Sequence, residues 1–137
     1  MGLLGNIFNK SEKNQNREKQ EAKTNINWIP LTSVSQFTEI REKSKLKMVG
    51  IFKHSTRCII SRTVLKSFDQ DFPKSVSDKI DMYYLDLLNF RDVSNEIGYE
   101  FQVMHQSPQL LLIHKGVTTL HASHYDITQI NLEKIVK

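Results

Sequence analysis

Three short, nearly unbroken apolar runs constrain this chain most: Leu46 to Phe52, Met82 to Leu88 and Leu110 to Ile113. Runs of this length without polar alternation suit strands buried on both faces. Between and around them the apolar residues change period. Val34, Phe37 and Ile40, then Ile60, Val64, Leu65, Phe68 and Phe72, then Phe90, Val93, Ile97 and Phe101 recur at helical spacing. Buried strands alternating with amphipathic helices predict a layered α/β domain with a sheet at its centre.

The remaining elements follow from punctuation. Ile26 to Leu31 reads as a short strand, placed at an edge by Pro30. Ser33 is positioned to cap a helix from Val34 to about Lys43, and Ser55 or Thr56 to cap the helix that Pro73 ends. Lys74 to Asp81 is polar and reads as a loop, and Phe90 to Tyr99 as a helix. Lys115-Gly116 is a turn from which Val117 to Ala122 pairs back on Leu110 to Ile113, and Asp126 can cap a last helix bearing Ile127, Ile130, Ile135 and Val136. The order β-α-β-α-β-α-β-β-α describes one domain over residues 26–137, a central mixed β-sheet flanked by helices.

Residues 1–25 read differently. A short apolar patch (Leu3, Leu4, Ile7, Phe8) precedes a polar stretch of mixed charge without apolar period, which predicts a mobile tail. The patch lacks the basic start and cleavage site of a signal peptide, and Asn6 stands where a myristoylation signal needs Ser or Thr. It is either a frayed start or a contact for a membrane or partner. No run approaches the roughly 18 apolar residues of a membrane span, so no stable membrane insertion is expected.

The 19 basic residues, against 15 acidic, are spread along the chain rather than clustered, which argues against a nucleic-acid surface. A single cysteine, Cys58, cannot form an internal disulfide and fits the reducing cytosol, so a cytoplasmic location is expected. Cys58 follows an apolar strand and opens a helix, flanked by Arg57 and His54, where positive charge and the helix dipole favour a thiolate. A free cysteine can also be a small buried hydrophobe. Thr56 can cap the helix, and Arg57 can supply charge to a thiolate or an anionic ligand or simply be solvated. Ser61, three residues on, shares the helix face of Cys58, where its hydroxyl can support a thiolate or sit idle. His54 can tune the thiol or hydrogen-bond the backbone.

Together the stretches FKHSTRCIIS, YYLDLLNFRDVSNEIG, HQSPQLLLIHKG and ASHYDI resemble the YtxJ-type monothiol bacilliredoxins of the bacillithiol redox system, within the thioredoxin-like fold. The resemblance runs from about Asn27 to the C-terminus. It implies reduction of mixed disulfides between protein thiols and bacillithiol, with bacillithiol as thiol co-substrate and no bound cofactor. Bacillithiolated proteins would be the clients, with bacillithiol or a disulfide reductase regenerating the thiol. Cys58 would attack, Ser61 would stand where dithiol relatives carry a resolving cysteine, and Pro108 would be a cis-proline that turns the Ser107 backbone toward substrate. Ile59 departs from the proline that many such proteins place after the cysteine.

Other chemistries stay open at this level. Cys58 with His54, His105, His121 and His124 offers zinc donors, but in no paired spacing, so no metal is expected. An iron–sulfur cluster bridging two chains would need an external thiol. A glutathione-linked reductase, or a non-catalytic binding module, would carry the same fold.

Overall fold

The computed structural model describes residues 24–137, so the expected tail lies outside it apart from Thr24 and Asn25. Five strands are present: β1 (Ile29–Pro30), β2 (Met48–His54), β3 (Ile80–Asp86), β4 (Gln109–His114) and β5 (Val117–Ser123). The helices are α1 (Gln36–Ser44), α2 (Ile59–Asp71), α3 (Arg91–Glu100) and α4 (Leu132–Ile135), with 3-10 segments at Lys74–Val76 and His124–Gln129. The sheet order is β1-β3-β2-β4-β5. The first three strands are parallel, and β4 and β5 run antiparallel to their neighbours.

The unbroken apolar runs become interior strands because each strand feeds two cores. Val49, Ile51, Tyr83, Leu85, Leu111 and Ile113 face Phe37 and Ile40 of α1 and Val93 and Ile97 of α3. On the opposite face Phe52, Met82, Leu110 and Leu112 meet Val64 and Phe68 of α2 together with Ile127, Leu132 and Val136. All four residues of Leu110 to Ile113 are fully buried, and each such side chain contributes about 1.5–3 kcal/mol. The edges are treated differently. β1 is two residues long and ends in Pro30, while β5 alternates exposed with half-buried positions.

Several boundaries depart from expectation. The first helix starts at Gln36, not Val34, because Gln36 closes its own entry: its Oε1 accepts from the N–H groups of Thr32 and Ser33 at 2.8 and 3.0 Å. Ser33 instead accepts from Ser35 N, and Val34 is exposed. Leu46, expected to begin β2, is 90% exposed in the turn before it, and β2 continues through Lys53 and His54. Neither Ser55 nor Thr56 caps α2; Cys58 occupies that position. Asp126 caps no long helix, since extended backbone at Ile130 and Asn131 separates a 3-10 segment from the single turn of α4. Asn131 Oδ1 caps that turn, accepting from Lys134 N at 3.3 Å.

Lys115-Gly116 is the expected turn, with both residues at positive φ, 52° and 80°, as a two-residue hairpin requires. The buried end of α1 holds it in place. Lys115 N donates to Ser44 O at 2.7 Å and Gly116 N to Ser44 Oγ at 2.9 Å.

Candidate active site

β2 carries the chain to one end of the sheet and hands it to α2 through Ser55, Thr56 and Arg57. Cys58 N donates to Ser55 O at 3.2 Å, and Cys58 O accepts from Arg62 N at 3.0 Å, the first bond of the helix. With extended backbone (φ −100°, ψ 123°), Cys58 is therefore the N-cap residue of α2. Its thiol is free and half-exposed. Its side chain makes no cap hydrogen bond to the N–H groups of the first turn. Ile59 takes the first helical position, where a proline is readily accommodated, and is 70% exposed. Thr56 and Arg57 are exposed on the turn.

Ser61 is fully buried, and its hydroxyl has two partners. Oγ lies 2.8 Å from His54 Nδ1 and accepts from Ser55 N at 3.0 Å. This bracing ties the end of β2 to the first turn of α2. It also sets what the hydroxyl can do. When Nδ1 is bare, the Ser61 proton is committed to the ring; when Nδ1 carries a proton, Oγ accepts from both neighbours and its own proton is free.

His54 is buried, and burial lowers its pKa against the pull of Asp86, with Arg62 adding to the lowering. Asp86 is the register partner of His54 across β2–β3. Its Oδ2 accepts from Asn89 Nδ2 at 2.7 Å, while Oδ1 is buried with no partner among the described residues. The Tyr84 ring packs 5.7 Å from the imidazole. Burial, then Asp86, raises the Tyr84 pKa.

The neighbouring strand completes this end of the molecule. Gln109 pairs with Lys53, so Ser107 and Pro108 lie just beyond that pair, alongside the chain leaving β2 for Cys58. The Ser107–Pro108 bond is cis. Pro108 O accepts from His124 N at 3.0 Å. Sequence reasoning missed two groups here, Asp86 and Lys53, and weighed His105 only as a zinc donor. Lys53 is fully buried, and its Nζ lies 2.7 Å from His105 Nδ1. Burial lowers its pKa to about 8. Carrying the β2 alternation two residues past Phe52 would have put Lys53 on the Ile51 face and His54 beneath α2.

Among the described residues no three His, Cys, Asp or Glu side chains form a group able to hold a metal ion. No described helix is long and apolar enough to cross a membrane.

A mixed sheet of this order, a lone thiol capping the helix after β2 and a cis-proline opening β4 define a monothiol member of the thioredoxin-like class. Solved structures agree on the fold. A presumed oxidoreductase with a thioredoxin fold is 30% identical over 79% of this chain and 89% of its own, with a TM-score of 0.63. Thioredoxins from Malassezia sympodialis and Arabidopsis thaliana (thioredoxin O2) are 17% and 18% identical, with TM-scores of 0.63 and 0.61. They cover 82% and 80% of this chain and 89% and 95% of their own. The model of the monothiol bacilliredoxin BrxC family matches residues 29–132, and the chain belongs to that family.

Proposed function

We propose that this protein removes bacillithiol from protein mixed disulfides through Cys58, acting with one thiol. The observation that carries this reading is the half-exposed free thiol at the α2 N-cap, followed three residues later by a serine. In the first step the Cys58 thiolate attacks the bacillithiol sulfur of the mixed disulfide. A new S–S bond forms, the old one breaks, and the client leaves as a thiolate that takes up a proton. A second thiol, free bacillithiol, then attacks the Cys58 adduct, releasing oxidised bacillithiol disulfide and the Cys58 thiolate. A disulfide reductase would return that disulfide to thiol. Ser61 cannot attack sulfur in this sense, so release depends on an external thiol.

The surrounding groups have supporting parts in this cycle. His54 and Ser61 hold the loop that presents Cys58, and with Nδ1 protonated the freed Ser61 proton is available on the helix face that Cys58 shares. The Ser107 backbone beside the cis bond would pair with an extended client. Arg57 and Thr56, exposed on the turn, are open to the ligand.

Turnover tests the assignment. A client carrying bacillithiol should regain its free thiol with this protein and excess bacillithiol, much faster than when glutathione replaces bacillithiol on both sides. Equal rates would make it a glutathione-linked enzyme. No turnover with either thiol would leave the binding-module reading.

A further inference from the structure

We propose that Lys53, His105 and Arg91 form a subsite for a carboxylate of the low-molecular-weight thiol handled at Cys58. This inference rests on the redox reading above and adds which part of the ligand is recognised and by what.

The starting point is a lysine in the wrong place. Lys53 is fully buried inside a central strand, where an ammonium is costly unless paired. No acidic side chain among the described residues forms an ion pair with it. Its partner is instead His105 Nδ1, at 2.7 Å. An ammonium has only protons to donate, so Nδ1 must present its lone pair and the ring proton must sit on Nε2. His105 is exposed. The charge of a buried lysine is thus relayed to an outward N–H donor in a fixed tautomer.

The charges that act on the His105 ring are both positive. His105 is kept neutral first by burial, then by the charges of Lys53 and Arg91. Arg91, exposed at the start of α3, is the second cation whose charge reaches that ring. Glu96 borders the same cavity as His105, further along α3, and Arg91 does not line it, so an anion belongs at the mouth beside His105, toward the start of α3. That cavity, about 550 Å³ and lined also by Tyr99, Val103 and Met104, is the size of small-molecule sites. His105, on its rim, is also close to the cis-proline along the chain. His105 is three residues before Pro108, a span of at most about 11 Å, and Lys53 and Gln109 are paired across β2 and β4. A thiol bearing carboxylates, as bacillithiol does, can therefore place its sulfur at Cys58 and a carboxylate at His105 and Arg91, where charge-assisted hydrogen bonds are strong.

The test uses the full chain and one neutral peptide carrying two mixed disulfides, one with bacillithiol and one with its cysteinyl-glucosamine analogue, which lacks the malyl carboxylates. The wild-type protein should turn over the bacillithiol form about 10-fold more efficiently, the difference falling on KM, as expected for about 1.4 kcal/mol of binding. In Arg91→Gln and His105→Gln that preference should shrink to about 2-fold or less, and Arg91→Lys should recover part of it. Nitrogen NMR of the imidazole should show His105 protonated on Nε2, and Lys53→Met should mix the tautomers. Equal wild-type efficiency on the two probes would overturn the proposal without touching the redox assignment, and needs no variant to fold. A preference that appears only when the peptide itself is made acidic would overturn it by assigning the subsite to the client. Turnover of neither probe would overturn the redox reading and the subsite together.

Discussion

The place of Cys58 between a strand and a helix was legible at the scale of single residues, but a free cysteine is also an ordinary small hydrophobe, and it was chiefly the resemblance that made it the candidate nucleophile. The pairing of Ser61 with His54 was not legible. Their contact spans the strand-to-helix turn, and no local period brings residues seven apart together unless both flanking elements are known. Lys53 was hidden for a related reason, since a cation at the end of an apolar run reads as the point where the strand leaves the core. The bracing role of Ser61 is open to measurement. Ser61→Ala leaves Ser55 N without its acceptor and His54 Nδ1 without its partner, a loss of about 1–3 kcal/mol. Urea denaturation should show a lower midpoint with unchanged slope. An unaltered midpoint would mean that the two hydrogen bonds contribute nothing.

At the scale of elements, order and type were readable from the change between runs and helical periods, whereas ends were set by side chains acting across a few residues. Gln36 moved the start of α1 by capping the turn before it, and Cys58 displaced Ser55 and Thr56 from the cap of α2. The join between β2 and β3 rests on a fit that no pattern reveals. Gly50 pairs with Met82, and a Cβ at Gly50 would come within 2.4 Å of Met82 Sδ and 2.8 Å of its Cε. Gly50→Ala should therefore cost about 1–3 kcal/mol through overpacking. Most of that cost should vanish when Met82 is shortened to Val, and a double-mutant cycle reads the difference. Additive effects would show that the close approach is not what requires glycine.

Across the whole molecule the sheet separates two cores, and Lys53, His54, Asp86 and His105 gather at one end of it. His54 and His105 both have lowered pKa values in the folded state, first through burial. As pH falls through about 6.5, the unfolded chain takes up their protons before the folded one does, so stability drops with decreasing pH. The buried His54 adds at most about 1.4 kcal/mol per pH unit in that window, and the exposed, solvent-screened His105 adds less. Thermal midpoints should accordingly fall between pH 7 and pH 5.5, and less steeply in His54→Gln and His105→Gln. A midpoint that is constant or rises over that range would contradict the lowered pKa values of the two rings.

The account turns on one atom carrying another molecule's thiol, and intact mass reads that directly. The full chain, reduced and then mixed with bacillithiol disulfide, should gain the mass of a single bacillithiol lost again on adding excess thiol, while Cys58→Ser gains nothing. A wild-type chain that stays at its starting mass, or a Cys58→Ser chain that takes up the same adduct, would contradict it.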